Sequence, residues 1–85
     1  MTQSEKRLEQ MRRNPVGDWT IGDVEVVCRA RGIACVAPAR GSHYDLSHPN
    51  LPDILTIPAR RPLKAVYIRK LVAFVDALEA SHVRR

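Results

Sequence analysis

Gly41-Ser42-His43-Tyr44-Asp45-Leu46-Ser47 opens on a glycine and then alternates polar and apolar residues for one strand's length. Successive side chains on a strand point to opposite faces, so Tyr44 and Leu46 share one face and His43, Asp45 and Ser47 the other. With the apolar pair against a core, the imidazole of His43 stands on the open side of a sheet. Gly41 has no Cβ, so a backbone or a ligand phosphate can come close just ahead of it. Two readings of His43 follow. It is a surface histidine on a half-buried strand, or a titratable group held on a rigid element beside an uncluttered approach.

Downstream, His48-Pro49-Asn50-Leu51-Pro52 is dense in turn formers and is expected to be a loop. Asp53–Ile57 then reads as a strand that Pro58 stops, and Pro58-Ala59-Arg60-Arg61-Pro62 leads into a last helix. From about Lys64 onward, Ile68, Leu71, Val72, Val75 and Leu78 keep a helical stripe. Tyr67 and Phe74 lie off that stripe, where they either complete the core or meet a partner.

Upstream of the quoted stretch, Ile33–Ala37 is a short apolar run with β-branched residues, ending at Pro38. Before it the pattern predicts a helix over residues 21–31, with Thr20 as N-cap, Asp23 at N3 and Trp19 stapling Val24. Gly32 sits where a C′ glycine belongs. Thr2–Arg13 predicts a further helix behind a Thr2-Gln-Ser-Glu5 capping box. Its apolar content is thin, Leu8 and Met11, so it is expected to lie outside the core and to be dispensable for folding. Three short strands with brief links between them make an antiparallel meander.

Eighty-five residues suffice for one domain with a modest core. No apolar run reaches the ~20 residues of a membrane span, and the start does not read as a signal peptide, so a cytoplasmic protein is expected. Cys28 and Cys35 are the only cysteines and lack zinc-ligand spacing, so no metal or other cofactor is expected. The net charge is +5, and it is segregated. No acid occurs from Ile54 to Val75, where Arg60, Arg61, Lys64, Arg69 and Lys70 lie, nor from Val26 to Tyr44, where Arg29, Arg31 and Arg40 lie. Segregated cations point to a polyanion, and nucleic acid is the commonest for a small basic domain.

The order of helix, glycine turn, strand, Gly41-Ser42-His43 opening a second strand, a third strand ending in Ile57-Pro58 and a basic helix resembles the HicA family of bacterial toxins. Those are small messenger-RNA interferases, and the likeness covers roughly residues 20–76. It implies an α+β fold, the αβββα arrangement of double-stranded-RNA-binding domains, with two helices on one face of an antiparallel three-stranded sheet and an extra N-terminal helix. The expected organisation is a helical extension over 1–15, the domain over 16–80 and a flexible tail over 81–85. In that family the histidine of the triplet is catalytic, which by the match is His43. Two departures stand out. Pro58-Ala59-Arg60 has arginine where the family often has histidine, and Ala65-Val66 replaces a common glycine.

The resemblance further implies a HicB-type antitoxin as partner. RNA carries its own nucleophile, the 2′-hydroxyl, so a metal-independent endoribonuclease needs a proton acceptor and cations for the developing phosphorane charge. Imidazole suits acid–base work near neutral pH. Arg40, Gly41, Ser42, Arg60, Arg61 and Lys64 are the candidate RNA contacts. Asp45, on the same strand face about 6.8 Å away, is a candidate to orient the imidazole. Two other classes remain open: a non-catalytic double-stranded-RNA binder, which gains nothing from His43, and a small protein-interaction module. His48 and His82 read as a loop and a tail residue without a site role.

Overall fold

The computed structural model describes residues 2–83, with the side chains of His82 and Val83 left aside. Its elements run α1 (Gln3–Arg13), α2 (Ile21–Arg29), β1 (Ala34–Val36), β2 (His43–His48), β3 (Leu51–Pro58) and α3 (Ala65–Val83). The strands form one antiparallel sheet in the order β1-β2-β3. Three helices and this sheet make an α+β fold consistent with the αβββα order of a double-stranded-RNA-binding domain. Among the described residues no helix is long and apolar enough to cross a membrane.

Local chemistry starts both short helices. The Thr2 hydroxyl accepts the Glu5 N–H while the Glu5 carboxylate accepts the Thr2 N–H, and Thr20 and Asp23 repeat the exchange at α2. Gly32 follows α2 at φ +68°, the left-handed conformation that a helix-ending glycine supplies without steric cost. Helix α2 stops at Arg29 and residues 30–31 turn out of it, two residues short of the expected end.

The alternation in β2 holds. Leu46 is fully buried and Tyr44 packs against the same cluster, while His43 and Asp45 are exposed. Leu46 and Ile57 share that cluster with Val24 and Val27 of α2 and with Ile68, Leu71 and Val75 of α3. Helices α2 and α3 therefore cover one face of the sheet. Tyr67 and Phe74 also pack on it, so both belong to the core side.

Three sequence-based boundaries are corrected. Residues 48–52 are not a loop: β2 runs to His48 and β3 begins at Leu51, with a two-residue turn at Pro49-Asn50. A proline's fixed φ suits such a tight turn, and the His48 Nδ1 accepts the Asn50 N–H at 3.0 Å. The expected tail is helical through Val83, and residues 84–85 lie outside the described residues. Ser81 helps carry α3 on, its hydroxyl donating to the Leu78 carbonyl at 2.6 Å.

The third correction concerns α1, which is part of the core. Met11 is fully buried and Leu8 nearly so, in the cluster that α2 and α3 build. Two apolar residues one turn apart suffice because they enter a groove between two other helices, and polar contacts frame them. Arg7 pairs with Asp23 of α2 at 3.0 Å, and Arg12 grips Asp76 of α3 through two hydrogen bonds of 2.8 and 3.0 Å. Arg31 donates to Ser4 and lies 3.8 Å from Glu79, tying the end of α2 to both α1 and α3.

Truncating Met11 to Ala is expected to cost about 2–5 kcal/mol, the usual loss for a buried side chain of this size. Deleting residues 1–14 is expected to abolish the cooperative thermal transition, and an unchanged melt would show that the helix is not core. The hydrogen bonds from Arg12 hold the Asp76 carboxyl below its ordinary value of 3.8. A group lowered in the folded state stabilises above its unfolded pKa and loses that contribution as pH falls through the folded one. The stability gap between wild type and Asp76→Asn, ~0.2–1 kcal/mol for so exposed a pair, should therefore hold at neutral pH and close below about pH 4 in urea melts.

Candidate active site

The register between β2 and β3 brings two distant stretches together. His43 stands opposite Pro58, and Asp45 opposite Thr56. Just past the ladder the Ala59 N–H donates to the Ser42 carbonyl at 2.6 Å. The start of β2 is thereby clamped to the end of β3, and the loop 59–64 must leave from beside His43.

The result is a pocket of about 280 Å³ lined by Ser42, His43, Pro58, Arg60, Lys64 and Tyr67. It lies at the end of the sheet, where β2 starts, β3 stops and α3 begins. Each element contributes a different chemistry. The rigid strand supplies an imidazole and, next to it, a hydroxyl. The loop supplies the Arg60 guanidinium. The entry of α3 supplies the Lys64 ammonium and the Tyr67 ring, neighbours three apart on a helix surface. The Lys64 carbonyl accepts the Tyr67 and Ile68 N–H groups at 2.9 and 3.3 Å, so the helix begins at the pocket wall. No acid occupies its first turn, which leaves the positive end of the helix dipole uncompensated there.

Four of the seven candidate site residues line this pocket: Ser42, His43, Arg60 and Lys64. Gly41, at φ +81° with open space where a Cβ would stand, and Arg40, exposed, sit in the turn just before Ser42 but do not line it. Arg61 points elsewhere, donating to both carboxylate oxygens of Asp18 at 2.9 and 3.3 Å. That hydrogen bonding raises the Arg61 pKa and lowers the Asp18 pKa. Asp45 does not serve the imidazole through its Oδ1, which accepts the Thr56 hydroxyl across the ladder at 2.8 Å. This cross-strand pair is the nearer partner, because side chains directly opposite approach more closely than those two apart on one strand.

Tyr67 is the pocket residue that the sequence reading left between core and partner. Its signal was its spacing, three residues after Lys64. The residue both packs on the core and lines the pocket, and the Lys70 ammonium stands over its ring 5.9 Å from the ring centre.

Three larger hollows lack this combination. One of about 360 Å³ beside α1 holds Gln10, Arg13 and Asp18, one of about 300 Å³ holds Lys6, Arg7 and Asp23, and a mostly apolar one of about 480 Å³ lies between Leu51–Leu55 and α3. None of them includes a histidine. Among the described residues no group of three or more His, Cys, Asp or Glu is placed to hold a metal ion. Cys28 is buried and Cys35 half-buried, and burial, with Cys35 beside it, pushes the Cys28 thiol up to about 12. Such a thiol is a packing group at neutral pH.

An imidazole, a hydroxyl and two cations around one small opening can take a proton from an alcohol and hold a phosphate beside it. In comparisons with protein-family profiles, curated proteins and solved structures, nothing matches this chain.

Proposed function

We propose that the chain is an endoribonuclease acting on messenger RNA, with His43 as general acid–base, and that it is the toxin of a toxin–antitoxin pair. The observation that carries the reading is the shared pocket of His43, Ser42, Arg60 and Lys64. These residues come from two stretches about twenty apart in sequence, and only the β2–β3 ladder joins them. The resemblance of Gly41-Ser42-His43 to the HicA triplet supports the same residue independently of that geometry.

In this reading the scissile phosphate sits between Arg60 and Lys64. His43 takes the proton of the adjacent 2′-hydroxyl, whose oxygen attacks phosphorus. The O2′–P bond forms as the P–O5′ bond breaks, leaving a 2′,3′-cyclic phosphate and a 5′-hydroxyl once the leaving oxygen gains a proton. The two cations and the open positive end of α3 stabilise the extra charge on the phosphorane oxygens. The 2′-hydroxyl is the nucleophile, so the reaction needs no metal-bound water to attack phosphorus.

His43→Ala is expected to lower cleavage by about 10²–10⁴-fold while the fold and RNA affinity persist. The imidazole is exposed, and a surface truncation changes stability by about 0.5 kcal/mol or less. Equal cleavage by purified wild type and variant would refute the assignment. A gel shift without any shortening of the RNA would favour a non-catalytic RNA binder instead.

A HicB-type antitoxin is the proposed partner, bound over the exposed cations Arg40, Arg60 and Lys64. Coexpression of an acidic protein from a neighbouring reading frame should relieve growth arrest, and the complex should weaken as salt rises. Absence of both effects would remove the antitoxin from the proposal.

A further inference from the structure

We infer that the pocket beside His43 is a subsite for one unpaired nucleotide, with the Tyr67 ring as the wall on which its base stacks. This rests on the ribonuclease reading of the same site and adds to it the form of RNA accepted and the residue that selects it.

The walls of the pocket are of two kinds. Arg60 and Lys64 are cationic and exposed, and neither makes an ion pair among the described residues. They suit a phosphate. Pro58 and Tyr67 are flat and apolar, and both are half-buried, so they are held in place by the sheet end and the core. They suit a base. A phosphate site alone needs no aromatic wall, and a core tyrosine alone does not line an opening with four polar side chains.

The ring is also fixed in direction. It sits in the first turn of a 19-residue helix whose next residue, Ile68, is fully buried. The Lys70 ammonium stands 5.9 Å from the ring centre but lines the neighbouring hollow between β3 and α3, so it braces the ring from outside this pocket. An ordered aromatic surface loses little freedom when a base settles on it, and base–aromatic stacking tolerates any of the four bases. Within a duplex both faces of a base are already covered by its neighbours. Only a base splayed out of a single strand or loop can lie on Tyr67 while its phosphate reaches Arg60 and Lys64.

The test uses the full chain in the His43→Ala background, so that RNA stays intact. The probes are a short unstructured single-stranded RNA with a 5′ label, the same strand annealed to its complement, and an abasic version that keeps every phosphate. Tyr67→Leu is expected to weaken single-strand binding about 5- to 100-fold, the effect of losing one base–aromatic stack. Tyr67→Phe should bind like its parent, because the ring is retained. On the abasic strand the parent and Tyr67→Leu should bind alike. A normal affinity of Tyr67→Leu for the single strand, failure of Tyr67→Phe to restore binding, or an equal loss on the abasic strand would each overturn the subsite. If the single strand is bound by the parent but the duplex is bound as tightly and with the same dependence on Tyr67, selection of unpaired RNA is refuted. In those cases cleavage that depends on His43 would leave the ribonuclease reading standing. No binding of any probe by the parent would bring down both.

Discussion

The antiparallel ladder between β2 and β3 is the constraint on which the candidate site depends. By setting His43 against Pro58 and closing with the bond from Ala59 to Ser42, it decides where the chain leaves the sheet. The ladder's alternation also sets the faces: Tyr44, Leu46 and Ile57 go to the helices, and His43, Asp45 and Thr56 go to solvent. A one-residue slip would exchange these sets and bury the imidazole. Burial of Leu46 and Ile57 thus protects the orientation of a residue that itself buries nothing.

The same strand also has to manage an open edge. Strand β3 is at the border of the sheet, and it carries prolines at 52 and 58. Because the Ala59 N–H points at β2, the nitrogen of Pro58 points outward, where a missing donor breaks no ladder bond. The register shifts between Leu46 and His48, and Ile54 in that part of β3 is exposed. A shifted, proline-bearing border pairs poorly with another strand. Extension of the sheet across β3 is discouraged.

Basic residues divide into two working groups. Arg7, Arg12 and Arg31 serve the fold by joining α1 to its neighbours, and Arg61 fastens the loop before α3 to Asp18. Arg40, Arg60 and Lys64 make no such pair among the described residues and cluster around the start of β2. Helix α3 links the groups, since Asp76 and Glu79 near one end receive arginines while its acid-free first turn opens on the pocket.

Local signals in the chain determined the element order, both capping boxes, the Gly32 stop and the exposure of His43, because each depends on spacing within a few residues. The likeness of the Gly41-Ser42-His43 triplet singled out Ser42, and the acid-free basic stretch singled out Arg60 and Lys64, as candidates. Local sequence did not distinguish Arg60 from Arg61, which are adjacent and chemically identical. Only the fold does so, by placing Asp18 beside one of them. Nor did it find the place of α1. Two apolar residues look marginal in isolation, and their worth is decided by the groove between α2 and α3 that receives them. Tyr67 is the same case at the site: its spacing from Lys64 is local, but its approach to His43 is made by a strand pairing that no short window of sequence contains.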